Sequence, residues 1–185
     1  IRYITLTHSK LNQICDSSYA PDNHWNGLSL FGRELIPEMN RVGMMIDISH
    51  VSDSAFFQVM ALSRAPVIAS HSSCRYYTPG FERNMSDDMI GKLAEKGGVI
   101  MINFGSFFLD GDFQRKMQVA YDYIDEHGME WSSEERIEYI RQYKIDNQVP
   151  EVTLDDVVDH INHVVAHFGI NSVGLGSDFD GVSEV

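Results

Sequence analysis

The sequence predicts an α/β fold, a (β/α)8 barrel present in part, with about five strand–helix units. Two observations carry that expectation. Short apolar segments alternate with amphipathic helical patterns, the order of a parallel α/β protein. Polar residues that can do chemistry (His8, His50, His71, Asn103 and Asp178) fall at or just beyond the ends of those segments. A barrel gathers such ends at one mouth, where its active site lies.

The first strand is read at residues 3–6. A helical pattern follows in LFGRELIPEMNRVG, where Phe31, Leu35, Met39 and Val42 recur at helical spacing and Gly43 suits a stop. Pro37 is expected to start or kink this helix. The second strand covers residues 45–49. Asp53 is placed to cap a helix carrying Phe56, Val59 and Met60, which must end before Pro66. After a third strand at 67–70, Ser86 caps SDDMIGKLAEKGG, with Met89 and Leu93 facing inward and Gly97 as the stop. The fourth strand is residues 99–103.

Residues 110–150 break the rhythm. They hold two polar helical patterns, QRKMQVAYDYIDEHG and SSEERIEYIRQYKI, with no strand between. We read them as a helical insertion in one βα loop, placed to act as a lid. Thr153 and Asp156 then resemble a capping box for LDDVVDHINHVVAHFG. Its apolar stripe is Leu154, Val157, Val158, Ile161, Val164, Val165 and Phe168, and Gly169 ends it. A fifth strand covers residues 172–175. Strands this short and apolar are buried on both faces, as in parallel sheets. A doubly wound sheet would want a glycine-rich phosphate loop after its first strand, and LTHSKLNQ is no such loop.

The 185 residues are 43% hydrophobic, and 27 acidic against 14 basic residues leave a net charge of −13. Such a surface disfavours nucleic acid and anionic membranes. No apolar run approaches the roughly 18 residues of a membrane span. No targeting segment is visible, and localisation stays open. Cys15 and Cys74 are too few for a disulfide framework or a thiolate zinc site. The chain opens inside a strand pattern at IRYITLTH, so sequence is expected before Ile1.

His50 and His71 close two consecutive strand patterns, MMIDISHVSD and PVIASHSS. Neutral imidazoles so placed are candidate ligands of one metal ion. The competing reading is a pair of core histidines bonded to backbone. His8, in ITLTHS, is either a further ligand or a donor that polarises a substrate carbonyl. Asp178, in GLGSDFDG, is placed as a general base beside a metal-activated water, against the alternative of a solvated turn shared with Asp180. Arg83, in FERNMSDD, can clamp a carboxylate or be an ordinary surface arginine. His160, His163 and His167 share part of one helix face, which amphipathic packing already explains without a metal.

Taken together, ITLTHS, GLSLFGRELIPEMNRVGMMIDISHVSD, APVIASHSSCR, RNMSDDM, GGVIMINF and VGLGSDFDG resemble the membrane (renal-type) dipeptidase family, the M19 metallopeptidases. The likeness runs through most of the chain in order, excluding residues 110–150. It implies a barrel of the metal-dependent hydrolase type with a binuclear zinc site, all 185 residues forming one partial catalytic domain. It implies that His50 and His71 bind one zinc, that His8 contacts substrate and polarises the scissile carbonyl, that Arg83 contacts the substrate carboxylate, and that Asp178 is the catalytic acid/base. In that family an HxD motif and a bridging glutamate upstream of ITLTHS hold the other ion. Neither is in this sequence, so the chain resembles the C-terminal two-thirds of the barrel. By itself it is expected to be inactive.

The expected reaction of the complete protein is zinc-dependent hydrolysis of dipeptides, with a homodimer as a further expectation. The alternatives are another amidohydrolase-type metal hydrolase, acting on cyclic amides or as a deaminase, and a truncated barrel without catalysis.

Overall fold

The structure is a computed structural model that describes residues 1–20 and 23–181. Five strands form one sheet: β1 (Tyr3–Thr5), β2 (Met45–Asp47), β3 (Ile68–Ala69), β4 (Val99–Asn103) and β5 (Val173–Ser177). Every pairing is parallel, and the spatial order β1-β2-β3-β4-β5 is the chain order. A doubly wound sheet reverses its order at a switch point, whereas a barrel keeps winding one way. The observed order is therefore that of an incomplete (β/α)8 barrel, as the sequence predicts.

Helices cover the outside. α1 (Leu30–Val42) leads into β2, α2 (Asp53–Leu62) into β3 and α3 (Asp87–Glu95) into β4. α4 (Ser106–Leu109), α5 (Gly111–Glu126), α6 (Glu134–Asp146) and α7 (Leu154–Phe168) all lie between β4 and β5. α1 packs on α2, α2 on α3, and α3 on α7. The core lies between this layer and the sheet. It joins alternate strand residues Ile46, Ile48, Ile100 and Ile102 to Ile36, Phe56, Val59, Ile90, Leu93 and Val164. Period-two alternation puts these strand side chains on the helix-covered face.

Three helices differ in detail from the sequence reading. α1 runs unbroken through Pro37, and its buried residues are Gly32, Ile36 and Met39, while Phe31 and Val42 are exposed. α2 is capped by Ser52, whose side chain accepts from the Ala55 N–H, and Asp53 is its first helical residue. Its Phe56, Val59 and Met60 are buried as read. In α7 the buried face is Val157, His160, His163 and Val164, while Leu154 and Val158 are exposed. The Thr153 N–H donates to Asp156 Oδ2 at 2.7 Å, as the capping-box reading expects. Residues 111–146 form a helical pair with its own small cluster around Phe113, Met117 and Ala120, joined by Tyr139, Ile140 and Tyr143.

Candidate metal and peptidase site

The parallel sheet sets the site by aligning the carboxyl ends of its strands. His8 follows β1, His50 follows β2, His71 follows β3, and Asp178 follows β5. All four line one cavity of about 430 Å³, together with Ser9, Tyr19, Phe108 and Gly181. His50, Ser177 and Asp178 have positive φ values of 72°, 38° and 66°. L-residues avoid this region, at a cost of roughly 1–3 kcal/mol each where it is imposed. Strain therefore gathers where the strands end and the site begins.

His50 and His71 converge. Their Nε2 atoms lie 2.8 Å apart, and the His50 ring also rests 4.2 Å from that of His8, centroid to centroid. Behind His71 stands a chain of hydroxyl and carboxylate. Ser70 Oγ donates to Asp47 Oδ2 at 2.6 Å and lies 2.7 Å from His71 Nδ1. A hydroxyl has one proton to give. Since Ser70 gives it to Asp47, His71 Nδ1 must be the donor in the second contact, and His71 Nε2 turns its lone pair toward His50 Nε2. Asp47 is fully buried and also accepts from Thr5 Oγ1 and from the backbone N–H groups of Ser49 and Ser70. Four donors from three consecutive strand regions thus hold one carboxylate beneath the site.

Burial is the largest influence holding both imidazoles neutral. It lowers His50 to about 2, with Arg83, His71 and His8 adding repulsion. His71 is lowered by burial and by Arg83, against the opposing pull of Asp178 and Asp47. Neutral rings are the form that binds metal. The two Nε2 atoms can share one proton, and a metal ion that displaced it would be offered a lone pair by each ring. The pair therefore fits a metal ion as two of its ligands. Among the described residues no group of three or more His, Cys, Asp and Glu side chains is arranged to hold one.

Asp178 is held by Asn103, whose Nδ2 donates to Oδ2 at 2.8 Å, while Asn103 Oδ1 accepts from the Gly105 N–H. Asp180, two residues on, is exposed and away from the cavity lining. His8 is exposed at the rim, its Nδ1 2.8 Å from Ser9 Oγ. Arg83 lies behind the histidines and outside the cavity lining, 3% exposed, donating to Ser72 Oγ at 2.7 Å and to the His71 carbonyl at 2.6 Å. Its Nε is buried without a hydrogen-bond partner among the described residues. Burial lowers Arg83 to about 10, opposed by Tyr19, Asp178 and Asp47, and it stays a cation at neutral pH.

His160 and His163 are structural. His160 Nδ1 accepts from the Cys74 N–H, and its Nε2 meets the Leu109 carbonyl at 3.0 Å; His163 pairs with Asp87 at 2.9 Å. Asp47 and Tyr19 belong to the site and were not singled out by sequence reading. For Asp47 the signal was present, since an acid inside a buried strand needs a reason. Tyr19 comes from the long β1–α1 connection, which has no periodicity to read.

Known proteins resemble the chain in both sequence and structure. The family model for membrane dipeptidase, peptidase family M19, matches residues 1–185. The dipeptidase verJ of Clonostachys rogersoniana is 38% identical over 182 residues, 98% of this chain and 37% of that protein. The crystal structure of the probable dipeptidase PvdM from Pseudomonas aeruginosa superposes with a TM-score of 0.78 at 29% identity, covering 98% of this chain and 51% of PvdM. A metallo peptidase from Rhodobacter sphaeroides, solved with a phosphinate mimic of the dipeptide L-Ala-D-Ala, gives 0.72 at 26% identity, covering 99% and 44%. The chain thus spans about a third of its curated relative and about half of these solved chains. With the family model matching throughout, the chain belongs to the membrane dipeptidase family, peptidase family M19.

Proposed function

We propose that the complete protein is a zinc-dependent dipeptidase and that this chain carries one side of its catalytic mouth. The convergence of His50 Nε2 and His71 Nε2, in a cavity shared with His8 and Asp178, carries the reading. His50 and His71 would hold one zinc of a binuclear pair. Bound zinc supplies Lewis acidity, polarising a carbonyl and making water a nucleophile near neutral pH. The Asp47–Ser70 chain keeps His71 in the tautomer whose Nε2 lone pair would be available to the metal. Asp178, oriented by Asn103, takes the proton of the attacking water and delivers it to the leaving amine. His8 donates to the carbonyl oxygen as negative charge develops on it. Arg83 offers a buried cation behind His71 toward the free carboxylate of the substrate.

The test uses the full-length protein, zinc analysis, and a panel of dipeptides, cyclic amides and nucleobases. Dipeptide hydrolysis with two zinc equivalents is expected. His71→Ala should lose one equivalent, and Asp178→Asn should keep both while kcat falls about 10²- to 10⁴-fold. Turnover of cyclic amides or nucleobases alone would replace the dipeptidase reading with another metal hydrolase. Two retained equivalents in His71→Ala would refute the ligand assignment.

A further inference from the structure

A second cavity, of about 330 Å³, opens beside the first and shares Tyr19, Phe108 and Gly181 with it. Its outer wall comes from the α5–α6 pair, through Phe113, Tyr121, Trp131 and Arg136. Arg136 is 8% exposed, although it sits only three residues into α6, the most polar helix of the chain. Its guanidinium lies 4.1 Å from the Trp131 ring centroid and 5.7 Å from that of Tyr121. Among the described residues it forms no side-chain hydrogen bond or ion pair. Stacking uses the flat face of a guanidinium and leaves its N–H edge for a planar acceptor. None of the Arg136 nitrogens is among the buried unpartnered atoms, so the N–H edge is reached from the cavity. A protein with net charge −13 otherwise repels anions. The one carboxylate among the described lining residues, Asp125, is exposed.

We infer that this cavity is a side-chain subsite for an acidic residue of the substrate, with Arg136 receiving its carboxylate. The inference rests on the dipeptidase reading and narrows it to dipeptides containing Glu or Asp. The aromatic walls take the methylene groups, and the cation takes the charge. Glutamine fills the same space and leaves the cation unpaired, so discrimination should be large. A hydrogen bond between charged partners supports a difference of about 10- to 100-fold.

The measurement is the ratio of kcat/KM for Ala-Glu over Ala-Gln, and for Glu-Ala over Gln-Ala, in the full-length enzyme. A ratio of about 10 or more is expected in one order or the other. Arg136→Gln should bring that ratio close to one, and Arg136→Lys should leave an intermediate value. A wild-type ratio near one in both orders overturns the subsite without any variant, as does an unchanged ratio in Arg136→Gln. If the enzyme hydrolyses no dipeptide, the dipeptidase reading has failed, and calorimetric binding of Ala-Glu against Ala-Gln decides the subsite. Equal affinity, or no binding of either, rejects it.

Discussion

A single buried carboxylate explains how two histidines come to face one another. Asp47 receives four hydrogen bonds, and the one from the Ser70 hydroxyl decides which nitrogen of His71 keeps its proton. Asp47→Asn replaces one acceptor oxygen with an NH2 donor. Ser70 can then turn its proton toward His71 Nδ1, and the Nε2 lone pair is lost to the cavity. Zinc affinity should fall about 10- to 100-fold, the usual effect of changing a partner behind a metal-bound histidine. Competition with a chelator measures it, and Asp47→Glu, which restores the acceptor, should recover part of the loss. Unchanged affinity in Asp47→Asn would remove the relay from the mechanism. His8, His50, His71 and Asp178 were legible because a polar residue ending an apolar run stands out. Asp47 was not, because MIDIS reads as a strand and its one acid passes for a lapse in the pattern. Asn103 was visible as a strand end, but its hold on Asp178 depends on β4 lying beside β5.

At the scale of elements, the sheet was legible and the helix faces were partly so. All five strand positions agree within a few residues, because short β-branched runs between helical patterns have few other uses. α1 turned a different face inward because Gly32 sits directly against the Ile14 carbonyl, and a glycine adds nothing to an apolar stripe. α7 did so because His160 and His163 are buried with their partners, and a satisfied histidine packs where a hydropathy pattern expects leucine. A similar backbone approach operates in β5. A Cβ on Gly176 would lie 2.5 Å from the Ser70 carbonyl oxygen and 2.7 Å from that of Met101. Neither atom can swing aside as a side chain does. Gly176→Ala should destabilise the protein by about 1–3 kcal/mol, the range for overpacking a close-packed site. It should also disturb Asp178, two residues on. Gly174→Ala is the control, since its nearest neighbour is the flexible Met101 side chain at 3.3 Å. Urea denaturation of both variants checks the ordering; equal stability in the two would contradict it.

For the whole molecule, the long β4–β5 excursion must be tied back to the barrel, and His160 makes that tie. From α7 it binds the Cys74 N–H beyond β3 and the carbonyl of Leu109 at the end of α4. One fully buried imidazole thus joins segments 86 and 51 residues away in sequence. Burial is the main reason its pKa is lowered from 6.5 to about 4, partly offset by the Leu109 hydrogen bond. The folded state therefore resists protonation that the unfolded chain accepts. The contribution is full above about pH 6.5 and is lost as pH falls toward about 4, because unfolding then takes up a proton. A shift of that size is linked to roughly 3 kcal/mol. His50 adds to the same trend, so the share of His160 must be read by difference. His160→Gln should be less stable than the parent at pH 7, and its stability should fall less steeply with acid. The two curves from urea denaturation at pH 7, 6 and 5 should converge. Parallel curves would show that His160 stays neutral in the unfolded chain as well, or already titrates in the fold, and that the tie is indifferent to pH.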